Sequence, residues 1–258
     1  MGISIFDKLK IFLGSRNVFR NWYIFPNVYF GTIRKSHVIF ETKNNLKLKI
    51  RTNSTDIMTL TNIWLVQEYD KKFQINENDI IIDIGAHIGL FSLFASQYCK
   101  NGKIFSYEPI KENFELLLEN IKLNKIENVH PHNSAVSKLN EKIKIFYNDD
   151  QSAHSMFLES DKNTTVDSIS LQRIFDENKI ESCNFLKIDC EGAEYEIIDS
   201  LPIEYFKKIE KMVIEYHFAD SKPELSKKLI SKINNAGFET KIRPHYNDMG
   251  FLYAQKQK

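Results

Sequence analysis

The sequence predicts an α/β fold, a mainly parallel sheet with helices on both faces, and three observations predict it. The run Ile80-Ile81-Ile82-Asp83-Ile84 is apolar and β-branched and ends in the glycine loop Gly85-Ala86-His87-Ile88-Gly89, as a buried strand delivering a ligand loop does. A second such run, 103–107, leads to Glu108, 25 residues beyond Asp83, close to the roughly 20-residue spacing of a nucleoside-binding strand–helix–strand unit. Strand-like and helix-like patterns then alternate through most of the chain, the arrangement that folds into a parallel sheet.

In chain order, residues 1–35 mix apolar Ile3, Ile5, Phe6, Leu9, Ile11, Phe12 and Leu13 with six basic residues against one acid, Asp7. Trp22, Tyr23, Phe25, Tyr29 and Phe30 follow, so the segment resembles an interfacial membrane anchor. The preferred expectation is a helix and arm packed on the domain that follows, or on a second copy in a homodimer. Asp7 and Lys8 interrupt any secretory core, and Phe6 breaks the myristoylation pattern. Residues 38–42 and 46–50 alternate around Lys43-Asn44-Asn45 and predict a hairpin. Residues 1–55 thus read as an N-terminal helix and β-hairpin extension, and 56–258 as the main domain. Asp56 to Phe73 reads as a helix that brings Glu68 and Tyr69 toward the cleft.

Strand 80–84 precedes a helix at about 88–99. Strand 103–107 precedes a helix with Phe114, Leu117, Leu118 and Ile121 as its core stripe, closed by Asn124 in a left-handed conformation. Strand 128–132 leads to Asn133-Ser134-Ala135, and 142–147 alternates as an antiparallel or peripheral strand. The polar stretch 148–164, with His154, reads as a long irregular loop. A helix at about 168–178, strand 185–189, strand 212–216 ending at His217, a helix at 222–235 and strands at 238–243 and 250–255 complete the pattern.

The glycines discriminate among nucleoside ligands. Counting from Gly85, a dinucleotide fingerprint needs glycines where His87 and Leu90 stand, and no phosphate-cradling P-loop motif occurs. A nucleoside with a compact tail free of phosphate fits better, and S-adenosylmethionine matches that description. A nicotinamide-dependent oxidoreductase is disfavoured, while a non-catalytic cofactor-binding module stays open.

Hydrophobic residues make up 42% of the 258, enough for a substantial core, and the formal net charge is +1. No global field recruits nucleic acid, so no such partner is expected. Cys99, Cys183 and Cys190 form no C-x-x-C pair and read as reduced thiols of a cytoplasmic protein. No uninterrupted run of about 18 apolar residues occurs, so no membrane span is expected. A peripheral location at the membrane is the alternative that residues 1–35 keep open.

Four motifs in order carry a resemblance. They are Asp83 to Gly89; Tyr107-Glu108-Pro109 with Asn113-Phe114; Leu186-Lys187-Ile188-Asp189-Cys190-Glu191-Gly192-Ala193-Glu194; and Ile214-Glu215-Tyr216-His217. Together, over roughly 65–220, they resemble the FkbM-type methyltransferases. The resemblance implies the Rossmann-like class I methyltransferase sheet, seven strands with the last antiparallel. It also implies S-adenosylmethionine-dependent O-methylation, with a carbohydrate or glycolipid hydroxyl as acceptor.

On this reading Asp83, Gly85, Ala86, His87 and Gly89 shape the loop around the methionine end of the cofactor, and Glu108 accepts the ribose hydroxyls. Asn133, Ser134 and Ala135 reach adenine, and Glu68 adds a cofactor contact. Lys187 and Asp189, two apart on a strand, share a side. Glu191 and Glu194 open a helix, whose positive end suits acids. Lys187, Glu191 and His154 are assigned to the acceptor. A sugar hydroxyl is a poor nucleophile and needs a base. His217, with an ordinary pKa of roughly 6.5, is the first choice and Asp189 the second, with Glu215 orienting the imidazole or replacing it. Asp189, Glu191 and Glu215 could hold a hard cation, but nothing in their spacing demands one and no metal is expected.

Overall fold

A computed structural model of the chain describes residues 5–69, 72–146, 163–244 and 248–257. His154 lies outside them. The chain opens with α1 (Ile5–Val18), a 3-10 turn (Trp22–Ile24), α2 (Phe25–Tyr29) and the antiparallel hairpin β1 (His37–Glu41) and β2 (Lys47–Arg51). Then come α3 (Asp56–Leu60), β3 (Ile80–Ile84), α4 (Leu90–Ser96), β4 (Lys103–Tyr107), α5 (Lys111–Asn124) and β5 (Val129–His132). A small sheet follows from β6 (Ala135–Ser137), β7 (Lys142–Phe146) and β8 (Asn163–Ser170). The chain continues through α6 (Leu171–Glu177), β9 (Phe185–Asp189), α7 (Glu194–Ser200), α8 (Ile203–Phe206) and β10 (Lys211–His217). It ends with α9 (Pro223–Asn235), β11 (Phe238–Pro244) and β12 (Met249–Lys256).

The main sheet has the order β11-β12-β10-β9-β3-β4-β5, with β12 antiparallel to both its neighbours. From β3 the chain steps outward to β4 and β5, then returns to β9 on the other side of β3. The strand order therefore reverses between β3 and β9, and the crevice above their carboxyl ends is where open α/β sheets bind ligands. Buried on both faces, the central strands carry mostly apolar side chains, interrupted by the charged pair Asp83 and Lys187: Ile81, Ile82, Leu186 and Ile188 are fully buried. This is the seven-stranded class I methyltransferase arrangement that the resemblance implied.

The N-terminal extension packs on the sheet's helices. Phe19, Phe40, Leu48 and Ile50 join Leu90, Phe91 and Phe94 in one core. Asn120 of α5 binds the hairpin through its side chain, accepting from Lys49 N–H (2.8 Å) and donating to Lys49 O (3.0 Å). The same amide donates to Ile88 O in the glycine loop (2.9 Å).

Three elements differ from expectation, each for a local reason. The expected Asp56–Phe73 helix stops early: α3 passes into a π-helical turn, Thr61–Val66, which Gln67 ends at φ 57°. The buried face of α5 is Asn113, Leu116, Leu117 and Asn120, while Leu118 is exposed. Hydrogen bonding of the two asparagines turned the helix from its apolar stripe. Lys125, not Asn124, takes the left-handed position, because the Asn124 amide is held by Lys47 N and O at 2.7 Å each. The strand β8 was not anticipated, although Thr164, Val166 and Ile169 carry a β-branched pattern.

Candidate active site

The carboxyl ends of β3, β4, β9 and β10 supply the polar groups of the cleft. After β3 the chain turns through Gly85 (φ 74°), His87 (φ 52°) and Gly89 (φ 83°), conformations that favour glycine. A Cβ on Gly85 would lie 1.6 Å from the Asp189 carbonyl oxygen, so the loop and the end of β9 touch backbone to backbone. Gly85 N–H and Ala86 N–H both donate to Tyr107 O at 3.0 Å, which ties the loop to β4 as well.

Asp83 and Lys187, both expected at the ligand, lie beneath the loop instead. Asp83 is fully buried and accepts from Ser92 Oγ (2.6 Å). The Lys187 ammonium sits 3.0 Å from Asp83 Oδ1 and donates to Gly85 O at 3.0 Å. Burial opposes the Lys187 charge, yet Asp83 and Asp189 hold its pKa above the usual value. The assignment of Lys187 to the acceptor is therefore corrected: at 2% exposure it braces the loop from below. Ala86 is buried too; Gly85 and His87 keep partial exposure.

Glu108 faces the loop from the end of β4. Its Oε2 accepts His87 N–H (2.8 Å), and its Oε1 accepts Ile110 N–H (2.9 Å) and the Asn113 amide (3.4 Å). Burial pushes its pKa up to about 7 against those hydrogen bonds. One lone pair on Oε2 is left for a ligand hydroxyl, since each carboxylate oxygen accepts about two hydrogen bonds. Asn133 donates its amide to Glu108 O (2.9 Å) and Pro109 O (3.1 Å), fixing the turn rather than spending the amide on a ligand. Ser134 donates to the backbone oxygens of Ala135 and Asp167 (3.1 Å each), and Ala135 is buried where β6 pairs with β8, which leaves backbone N–H groups as this turn's route to adenine.

His87 links the loop to the extension. Arg51 Nη2 lies 3.0 Å from His87 Nε2 and 2.7 Å from Asp56 Oδ1. Arginine only donates, so Nε2 accepts and the ring proton sits on Nδ1, a buried atom with no hydrogen-bond partner in the protein. Burial, with Arg51 nearby, lowers the His87 pKa to about 4, so the ring is neutral near pH 7. The Arg51–Asp56 support was invisible in the motif spacing.

The second cluster gathers at β9 and β10. Tyr69 Oη lies 2.9 Å from Asp189 Oδ2 and 2.6 Å from Glu215 Oε2. One phenol proton cannot serve two carboxylates. Burial, then the nearby Asp189 charge, raises the Glu215 pKa to about 8, so Glu215 carries the second proton. The hydrogen bonds then run from Glu215 to Tyr69 and from Tyr69 to Asp189. Asp189 is the accessible member, its side chain 27% exposed. Glu68, expected at the cofactor, is buried and paired with Arg243 of β11. That strand lies five positions from β4 in the sheet order. Its neighbour Tyr69 is the residue that enters the cleft.

His217 joins this cluster in a form other than the one expected. Its Nδ1 faces Glu194 Oε1 at 3.2 Å and its Nε2 faces Glu191 Oε2 at 3.3 Å. Burial alone would lower its pKa, but Glu194, Glu191 and Asp189 push it up to about 10. At neutral pH the ring is an imidazolium with no free lone pair, which corrects its choice as the base. Glu194 does more than begin α7: it accepts from Gly192 N–H and His217 N–H, each at 2.8 Å. Asp189, Glu215 and His217 each bring one potential ligand atom within 4.8 Å of the others. These groups already engage Tyr69, Glu194 and Glu191, and a cation would have to displace those partners.

The folded protein holds the His217 proton up to about pH 10, whereas an unfolded chain releases it near pH 6.5. The imidazolium therefore contributes stability fully below pH 6.5, and that contribution is lost as pH rises toward 10. Glu215, raised to about 8, acts in the same direction up to that pH. Urea unfolding between pH 7 and 9 should show stability falling by about 1.4 kcal/mol per pH unit for the His217 proton. His217→Gln should flatten that slope; equal slopes would disprove the charged state.

The family model described as a methyltransferase FkbM domain matches residues 83–240. The chain is 21% identical over 172 residues to Methyltransferase 1 of Beauveria bassiana, covering 58% of this chain and 68% of that one. It is 22% identical over 184 residues to the hexuronic acid methyltransferase AglP of Haloferax volcanii, covering 71% and 73%. Methanococcus jannaschii fibrillarin, a pre-rRNA processing protein, aligns over 85% of this chain and 82% of its own at 13% identity and TM-score 0.50. That likeness speaks to the fold alone. The FkbM methyltransferase of Methylobacillus flagellatus aligns over 76% of this chain but 53% of its own length, at 15% identity and TM-score 0.49.

Proposed function

The chain belongs to the FkbM methyltransferase family, whose methyl donor is S-adenosylmethionine, and from that premise we propose that it methylates a hydroxyl of a sugar, glycan or glycosylated metabolite. The observation that carries this reading is the partly exposed Asp189 carboxylate at the reversal point of the sheet, hydrogen-bonded to Tyr69 at 2.9 Å. The relative named as a hexuronic acid methyltransferase supports the choice of a sugar.

The residues present fit the cofactor. Glu108 offers a buried carboxylate lone pair for ribose hydroxyls, and the unpartnered His87 Nδ1–H offers a donor at the loop. When bound, the cofactor supplies a methyl group made electrophilic by a sulfonium. Asp189 accepts the proton of the acceptor hydroxyl as that oxygen forms its bond to carbon. Tyr69 orients the Asp189 carboxylate, and the Glu215 proton behind Tyr69 lets the buried pair carry one negative charge instead of two. His217 holds Glu191 and Glu194 in place, and the partly exposed Glu191 is the one of the two assigned to the acceptor. His87 and Leu90 in the glycine loop argue against the oxidoreductase alternative.

The reading is tested by incubating the protein and labelled S-adenosylmethionine with a panel of uronic acids, hexoses and oligosaccharides. Label should appear in a product whose new methyl group is an ether by NMR. Transfer only to nitrogen or carbon would overturn the hydroxyl assignment, and transfer only to nucleic acid would overturn the choice of a carbohydrate acceptor.

A further inference from the structure

Between Asp7 and Glu41 the chain contains six Lys and Arg residues and no acid. On the helical part of that segment, ahead of β1, four large apolar side chains face water: Leu13 (54% exposed), Trp22 (38%), Tyr23 (64%) and Phe30 (60%); Ile39 of β1 (39%) is a fifth on the hairpin. Phe19, Phe25 and Val28 of the same segment are already buried in the core shared with the sheet's helices, so these four are not the remainder of an unformed interior. They are held in place from behind. Arg16 lies over the Trp22 ring, 5.2 Å from its centroid. Phe30 meets Phe12 edge-on at 5.7 Å, and Phe12 meets fully buried Phe25 at 5.9 Å. Arg16, Arg20, Arg34 and Lys35 are exposed on the same segment.

Apolar side chains presented among cations mark an interaction surface, and charge selects the occupant. In a two-fold dimer a patch meets itself, so two copies docked on this face would bring like charges together. A nucleic acid would neutralise the cations but leave Leu13 and Phe30 without a partner. A bilayer with anionic headgroups satisfies both, since tryptophan, tyrosine, phenylalanine and leucine lie at the acyl boundary and basic side chains among the headgroups. We propose that the face carrying Leu13, Trp22, Tyr23 and Phe30 docks peripherally on an anionic lipid surface. Among the described residues no helix is long and apolar enough to cross a membrane, so the contact is made from one side. This inference does not depend on the identity of the methyl acceptor.

The test is co-sedimentation of the full chain with vesicles of phosphatidylcholine alone or mixed with phosphatidylglycerol, alongside fluorescence quenching by lipids brominated on the acyl chain. The mixed vesicles should bind at least about tenfold better and lose that advantage in high salt. Of the two tryptophans Trp64 is buried at 4% exposure, so the quenched signal reports Trp22. The double substitution Trp22→Ser with Phe30→Ser should weaken binding about tenfold, by loss of apolar burial, with an unchanged urea midpoint. No binding to the mixed vesicles would overturn the proposal. So would binding that Arg16→Glu with Arg34→Glu abolishes but the aromatic substitutions leave intact, which is attraction to phosphate charge alone. A self-associated species in solution, dispersed by the aromatic substitutions, would assign the face to a second copy instead.

Discussion

The Asp189→Asn variant should turn over about a thousandfold more slowly than the native protein, within the range that general-base removal costs, and bind S-adenosylhomocysteine as tightly. Asparagine has nearly the same shape and still offers Tyr69 an oxygen, so the cluster keeps its geometry and loses only its proton acceptor. Lys187 retains Asp83 at 3.0 Å, so the loop stays braced. Part of the rise in the Glu215 pKa comes from Asp189; with that charge removed, Glu215 ionises more readily and takes over a fraction of the work. A further Glu215→Gln change should therefore lower the residual rate again. Single-turnover rates combined with calorimetric binding separate the outcomes. A native rate in Asp189→Asn would remove Asp189 from the chemistry, and lost cofactor binding would make it a structural group.

Glu108→Ala should weaken S-adenosylhomocysteine binding by about a hundredfold, the loss expected from one or two hydrogen bonds to a charged acceptor. It also leaves His87 N–H and Ile110 N–H without the carboxylate that holds them, so Glu108→Gln, which can still accept, should lose less. The native affinity should fall as pH drops through about 7, because burial has raised the Glu108 pKa to that value and a protonated carboxyl is a poorer acceptor. Calorimetric titration of the three proteins at pH 6, 7 and 8 checks both statements. Equal affinity in Glu108→Ala would move the ribose elsewhere in the cleft.

The strands of the main sheet were legible because a strand buried on both faces is written as a mostly apolar run, as in Ile80–Ile84 and Phe185–Asp189. The acids near those strand ends, Asp83 and Asp189, were legible from the glycine-containing turns that follow them. What could not be read was pairing over long separations. Arg51 reaching His87, Asn120 holding the hairpin and Glu68 turning to Arg243 each join residues with no periodic relation. The protonation of His217 was hidden likewise, since it is set by two carboxylates that reach it from the turn into α7. On α5 the apolar stripe misled because Asn113 and Asn120 are buried by virtue of their hydrogen bonds, which no hydrophobicity pattern records.

The absent side chain at Gly85 acts as a ruler. With the Asp189 carbonyl oxygen resting where a Cβ would stand, the loop proposed to receive the methyl donor and the strand end that carries the proposed base can close up no further. On the proposed reading, the floor of the gap for the acceptor oxygen is fixed by this main-chain contact before any acceptor arrives. A reaction centre gauged in that way is indifferent to what is attached to the hydroxyl. Selection among acceptors must then be exercised at the rim, by groups that can change without altering the gauge.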